Sequence, residues 1–242
     1  MPSVAERADA ATEVAALVTA PVGWQPCHRL IASRYPTVSL FDRITAPQDL
    51  DIVFAVEGLT NPRLRQELGQ LCLVPVQDRV VGTGATLIMA AFTHLNPLGS
   101  RFSDGSYGVY YAADSLATAV AEVSHHRALF LDRTAEPAMD LDLRWIQADA
   151  TASLHDLRGA RQTLPAIYDP LSYADSQRLG QTLRQQGSAG LVYDSVRDPA
   201  GQCVALFKPK ALGRARPAGH VALHWDGRRI SHWFSKGEPQ VL

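Results

Sequence analysis

The stretch from Arg101 to Glu122 gathers the densest set of groups able to do chemistry in this chain. A polar loop, Arg101-Phe-Ser-Asp-Gly-Ser-Tyr-Gly108, leads into an extended segment carrying Tyr110 and Tyr111, and then into a helix. On that helix Leu116, Ala119, Val120 and Val123 share a face, and Glu122 lies at its edge, about 60° round from Ala119 at 3.6 residues per turn. A half-buried carboxylate beside a strand with two tyrosines has the character needed to stabilise positive charge developing on a substrate. Spacing alone favours a plainer outcome: an exposed Glu in an Ala-rich helix, where Glu is a good helix former, and tyrosines that are ordinary strand formers.

Two further regions supply candidate groups. Arg29 sits in a short run, Cys27–Ile31, whose extended form would put His28 and Arg29 on opposite faces. Its planar fork of donors suits phosphate oxygens, as does that of Arg34, although a surface ion pair is the commoner fate of such a residue. Ser195 follows the apolar run Ala189–Asp194, and ligands commonly sit just past strand ends in α/β folds. No GxSxG elbow surrounds it, which disfavours a hydrolase nucleophile. His125 and His126 could act as bases, but a pair at a helix end fits a capping role better. Neither GxGxxG nor a Walker pattern occurs, so a Rossmann or P-loop nucleotide site is unsupported.

The elements that must position these groups are legible in outline. Apolar residues at helical spacing from Val4 to Val18 predict an amphipathic helix, ended by Pro21 and Gly23. Helices are also expected over 48–56 and from Asn61-Pro62 across 63–72, where Asn and Pro form an N-cap and N1 pair. A short buried helix is expected over 85–94. The character changes after Asn96-Pro97-Leu98-Gly99: a strand over 108–112, a helix capped by Asp114 and running to about His126, and a strand over 141–146. A helix opened by Asp169-Pro170 then runs to near Gly187, and buried strands follow over 190–193 and 202–207. A hairpin, 221–225 with 229–234, turns at Asp226-Gly227. This order predicts an α/β (α+β) domain with a mixed sheet over 96–242, preceded by a helical N-terminal region over 1–95, with the strand near 27–31 joining the sheet.

Composition narrows the function classes. The chain has 242 residues and a formal net charge of −1, so it lacks the basic field that holds nucleic acid by counterion release, and direct nucleic-acid binding is disfavoured. The longest apolar run, 87–92, is far short of a membrane span, and charges at Glu6, Arg7, Asp9 and Glu13 break up any signal-peptide core. Three cysteines without CxxC spacing, and eight histidines without an HExxH or a Cys/His cluster, point to a reducing cytoplasm and away from a structural metal.

Taken in order, these pieces resemble the RES domain, a toxin family named for its Arg, Glu and Ser. The corresponding text is His28-Arg29-Leu30; then Arg101-Phe102, Tyr110-Tyr111 and Ala121-Glu122; then Gly190-Leu-Val-Tyr-Asp-Ser195. Each motif is short, and their ordered combination across 27–207 carries the resemblance. Phe102-Ser103 stands where many members have Trp-Asn, and Ser172 and Ser176 compete with Ser195 for the serine's place.

The resemblance implies a fold similar to ADP-ribosyltransferase toxins, with NAD as substrate in a cleft of the sheet and no metal. It implies that Glu122 stabilises the oxocarbenium-like state and that Arg29 binds the pyrophosphate or its ribose. Tyr111 would stack on nicotinamide, Ser195 would fix the ribose, and Arg101 would assist in binding the dinucleotide. The expected activity is cleavage of the nicotinamide–ribose bond with transfer of ADP-ribose to a protein acceptor. NAD hydrolysis or phosphorolysis is the alternative, and a non-catalytic nucleotide-binding module is a further one. The implied partner is an Xre-type helix-turn-helix antitoxin, which rather than this chain would contact DNA.

Overall fold

A computed structural model describes residues 17–33, 41–42, 46–48, 50 and 70–237. The helices predicted over 4–18, 48–56 and 63–72 fall almost wholly outside these residues, as does Arg34. At the edge of the last one, Leu71–Leu73 forms a single 3-10 turn.

Two strands are much longer than the sequence pattern suggests. β1 spans Thr19–Ala32 and so includes Pro21 and Gly23, which read as helix terminators. β3 spans Met139–Asp156, where alternation is clear only over its first third. The remainder, Gln147-Ala-Asp-Ala-Thr-Ala-Ser-Leu154, is rich in alanine, a weak strand former. It is extended because β1 pairs along one edge, from Thr19↔His155 to Ala32↔Leu143, and β6 (Leu212–Trp225) pairs along the other, from Met139↔Trp225 to Ala150↔Leu212. Ala148, Ala150 and Leu154 alternate into the core, each at most 1% exposed. Backbone pairing on both sides outweighs local propensity.

The other strands are β2 (Tyr110–Ala113), β4 (Gly190–Asp194), β5 (Gln202–Leu206) and β7 (Ile230–Lys236). Together they make a seven-stranded mixed sheet in the order β1-β2-β5-β4-β3-β6-β7. The end of β3 pairs in parallel with β4 at His155↔Leu191 and Asp156↔Val192. His28 is partnered by Gln147 on one side and Ala113 on the other, so the pairings from β1 through β2, β5, β4 and β3 return to β1. The hairpin of β6 and β7 extends the sheet beyond this ring. The mixed α+β architecture expected from the sequence is therefore present, and the strand near residue 29 belongs to the sheet.

Among the described residues, three α-helices pack on this frame. α1 (Ala85–Thr93) buries Ile88, Met89 and Phe92 with Tyr110, Val204 and Leu206. Gly84 precedes it at φ +82, where an added Cβ would lie 2.0 Å from the Ala215 carbonyl oxygen, so only glycine fits. α2 (Leu116–Thr134) is capped by Ser115, whose Oγ accepts from the Thr118 amide at 3.1 Å. Asp114, the expected cap, instead accepts from the Gln202 amide at 3.1 Å and ties β2 to β5. α2 also runs past His126 and ends at Ala135 in the left-handed region, φ 51, so the two histidines do not cap it. α3 (Ala174–Gln185) starts later than expected, because the Asp169 carboxylate accepts from the Leu171 and Ser172 amides and holds a turn. Its far end closes as expected near Gly187, φ +80. Leu179 and Leu183 of α3 pack on Phe102 and Leu191.

Candidate active site

Glu122 and Ser195, 73 residues apart, meet directly: the Ser195 Oγ donates to Glu122 Oε1 at 2.6 Å. The Val196 amide donates to the same oxygen at 3.0 Å and the Arg197 amide at 3.4 Å. Local structure on both sides makes this possible. Glu122 lies on α2 beside the buried Ala119 and Val120. Ser195 directly follows β4, its amide donating to the Gly201 carbonyl at 2.8 Å, so the loop is closed before β5 begins. Ser195 is fully buried, and its Oγ also accepts from the Arg197 amide at 3.1 Å and the Asp198 amide at 2.9 Å. A carboxylate oxygen held by a hydroxyl and two amides is fixed before any substrate arrives, which is the condition for electrostatic stabilisation without reorganisation. The other serines are placed differently: Ser176 is buried with its Oγ donating to the Tyr173 carbonyl at 3.1 Å, and the Ser172 amide caps on Asp169.

Arg101 and Tyr111 build the wall beside this pair. Arg101 is 6% exposed, and its Nη1 donates to the carbonyls of Ile167 at 3.2 Å and Asp169 at 2.9 Å. Its guanidinium lies over the Tyr173 ring, 4.6 Å from the centroid, a favourable stack of cation on ring face. The Tyr111 hydroxyl accepts from the Phe102 amide at 2.9 Å and shares a hydrogen bond with Ser100 Oγ at 2.8 Å. Burial pushes that hydroxyl's pKa up to about 12, moderated by the bonds to Ser100 and Phe102. Phe102 itself is fully buried with its edge on Tyr193, 5.1 Å between centroids. Phe102 therefore anchors the loop on which Arg101 sits.

Arg29 is attached to this wall from the other side. Its Nη1 donates to the Tyr111 carbonyl at 2.9 Å, while its guanidinium stacks over Tyr110, 4.5 Å from the centroid. Successive strand residues point to opposite faces, and Tyr110 and Tyr111 do so: the first packs with Cys27, the second with the cluster around Phe102. Arg29 is therefore linked to Tyr111 through the backbone, and neither Glu122 nor Ser195 is among its hydrogen-bond partners. Burial lowers its pKa, offset in part by Tyr110, Cys27 and Tyr111.

Two residues around Glu122, Arg197 and Tyr173, escaped the sequence reading of the site, and His125, weighed there as a base but read as a helix cap, joins them. Arg197 Nη2 donates to His125 Nε2 at 2.8 Å and to the Pro170 carbonyl at 2.5 Å. Because guanidinium nitrogens only donate, His125 Nε2 must accept, which places the ring proton on Nδ1. Burial and the neighbouring Arg197 hold the His125 pKa below its ordinary value. Tyr173 stands between Arg101 and His126, its ring 6.4 Å from the histidine ring. A three-residue step from Glu122 to His125 along one helix face was the available signal for the histidine. Nothing in the text around Tyr173 marked it. Among the described residues no group of three or more His, Cys, Asp or Glu side chains is placed to hold a metal ion. Nor is any helix among them long and apolar enough to cross a membrane.

The chain is 32% identical over 204 residues to the uncharacterized protein y4oC of Sinorhizobium fredii, a match covering 84% of each chain. It is similar in structure to a chain of the M. tuberculosis MbcT-MbcA toxin-antitoxin complex, with a TM-score of 0.48 and 13% identity, over 86% of this chain and 91% of that one. The RES domain model matches residues 78–226, which contain Arg101, Glu122 and Ser195. The chain belongs to the RES-domain family.

Proposed function

We propose that this protein is the toxin of a toxin–antitoxin pair, cleaving the nicotinamide–ribose bond of NAD and transferring ADP-ribose to a protein acceptor. The observation that carries the reading is the Glu122 carboxylate pinned by Ser195, Val196 and Arg197 beside the Arg101–Tyr111 wall. When the C–N bond breaks, its electron pair goes to the nicotinamide nitrogen, which becomes neutral, and positive charge develops on the ribose. A fixed carboxylate stabilises that charge, worth about 10²-fold or more in rate for one preorganised group. The acceptor nucleophile then forms the new bond at the same carbon and loses its proton. NAD carries its own leaving group, so the scheme needs no metal. Tyr111 offers a ring for nicotinamide, Ser195 acts on the ribose through the Glu122 carboxylate that it orients, and Arg29 and Arg101 offer charge for the dinucleotide.

The family resemblance supports an Xre-type helix-turn-helix antitoxin as the inhibitor and a cytoplasmic setting. Incubating the purified protein with NAD labelled in its adenylate half, with and without cell extract, tests the reading. Label on a protein band together with free nicotinamide is the expected result. Free ADP-ribose or its phosphorylated form, with no labelled protein, would replace transfer by NAD breakdown. Intact NAD under every condition would overturn the enzymatic reading.

A further inference from the structure

The loop between β4 and β5 is fastened to α2 at two points one helical turn apart. Glu122 is one of them. The other is Thr118, four residues earlier and so on the same helix face, whose Oγ1 donates to Asp198 Oδ2 at 2.7 Å. Thr118 is 1% exposed and Asp198 is half-buried. Gly201, at the end of the loop, lies so close over Thr118 that an added Cβ would stand 2.2 Å from its Oγ1.

The direction of each proton in this cluster is fixed. An ionised carboxylate only accepts, so the Thr118 hydroxyl gives its single proton to Asp198, and Ser115 Oγ, 2.8 Å away, must donate to Thr118. The same Ser115 oxygen accepts from the Thr118 amide as the helix cap. Asp198 Oδ1 accepts from the Ala200 amide at 3.2 Å, its carbonyl accepts from the Gly201 amide at 3.1 Å, and its own amide donates to Ser195 Oγ. Ser195 Oγ also accepts from the Arg197 amide, so both of its lone pairs are occupied and its proton has one destination, Glu122 Oε1. Donors from three successive residues, Ser195, Val196 and Arg197, all meet Oε1, which leaves Oε2 to face a substrate.

We propose that Thr118 is a positioning residue for Glu122: through Asp198 it sets where the loop stands on α2, and therefore which carboxylate oxygen is held and which one acts. The inference rests on the NAD-cleaving reading for the reaction that it serves. Held by Glu122 alone, the loop is free to pivot about Oε1, carrying the Ser195 hydroxyl and the two amides with it. The second attachment removes that freedom, and a carboxylate that must find its place anew in each encounter loses much of its electrostatic benefit.

Thr118→Val keeps the branched shape and removes only the hydroxyl, leaving the half-buried Asp198 carboxylate to turn to water. In the full chain it should lower kcat for nicotinamide release about tenfold with KM changed by less than about twofold, because the groups that touch the substrate are retained. Thr118→Ser, which returns the hydroxyl, should recover most of the rate. Proton exchange of the Val196 and Arg197 amides, followed by NMR without NAD, should be at least about tenfold faster in Thr118→Val and close to wild type in Thr118→Ser. Because Thr118 acts through Glu122, its replacement by Val should change the residual rate of Glu122→Gln by less than about twofold. Thr93→Val removes the hydroxyl of an equally buried threonine in α1, which donates to the Met89 carbonyl. It is the control that should lower the melting temperature without altering kcat or the two amides. If Thr118→Val does not fold, Asp198→Ala carries the same expectations. Unchanged kcat or unchanged amide exchange in a folded variant, no recovery in Thr118→Ser, an equal kcat loss in Thr93→Val, or an undiminished effect in the Glu122→Gln background would overturn the proposal. Wild-type protein that releases no nicotinamide from NAD would sink the enzymatic reading, and amide exchange would then decide the positioning role by itself.

Discussion

Replacing Glu122 in two ways separates its structural role from its chemical one. In Glu122→Ala the buried Ser195 hydroxyl and the Val196 amide lose the oxygen they reach at 2.6 and 3.0 Å. A stranded buried donor costs about 1–3 kcal/mol. Glu122 is only half-buried, so water entering the space left behind should hold the total to about 2–3 kcal/mol. For a chain of this size that corresponds to a melting temperature lower by about 4–12 °C. Glu122→Gln presents an amide oxygen at the position of Oε1, so all three donors keep an acceptor, though a neutral and weaker one. Its cost should be about 1 kcal/mol. Both variants lose the negative charge facing the ribose, so both should lose about 10²-fold or more in nicotinamide release. Differential scanning calorimetry and a coupled nicotinamide assay read the two quantities separately. Near-normal turnover in Glu122→Gln would refute the catalytic assignment. A Gln variant as unstable as the Ala variant would refute the description of Oε1 as an acceptor hub.

Gly180→Ala should destabilise by about 1–3 kcal/mol in urea unfolding, because the new Cβ would lie 2.3 Å from the Phe102 carbonyl oxygen and must push α3 off the Arg101 loop; a change below about 0.5 kcal/mol would mean that the helix has room. Tyr111→Phe should cost about 1–2 kcal/mol through the lost bonds to Phe102 and Ser100. It should also keep more NAD affinity than Tyr111→Leu; equal loss in both variants would rule out ring stacking as the role. Stability should fall on mild acidification: His28, His125 and His126 have folded pKa values below the 6.5 of the unfolded chain, so between those values and 6.5 the unfolded chain binds more protons and ΔG of unfolding drops with pH. The melting temperature should therefore be lower at about pH 5.5 than at about pH 7.5, with a smaller difference in His125→Gln/His126→Gln; an unaltered slope would show that neither histidine titrates differently on folding.

Much of this site was legible without coordinates where chemistry and local pattern coincide. The helical face of 116–123 placed Glu122 at an edge, the apolar run before Ser195 placed it at a strand end, and the ordered motifs supplied the family. Local signals also located α1, the strands β4 and β5 and the β6–β7 hairpin, because each depends on a short apolar run and a turn residue beside it. Helix boundaries were less legible, since Ser115 and Asp114 are both good caps and only the neighbouring strand decides which is free. Asp114 is taken by the Gln202 amide, which leaves the cap to Ser115.

What the sequence determined by itself was the identity of the reacting groups: a carboxylate, a serine, tyrosines and arginines in a fixed order, on elements whose type their own side chains specify. What the tertiary structure decided was which of them meet. Nothing local tells Glu122 that its partner lies 73 residues on, or tells the alanine-rich half of β3 to remain extended; both follow from pairing with β1 and β6 along β3 and from the return of β5 beside β2. Nor could the text divide the arginines, because a guanidinium's role depends on the carbonyls and rings that surround it. Arg29 is held over Tyr110, Arg101 over Tyr173 by the carbonyls of Ile167 and Asp169, and Arg197 against His125 and the Pro170 carbonyl. Side-chain type and periodicity are short-range properties of the chain, whereas the field at a site is a sum over groups that only the closed sheet brings within range.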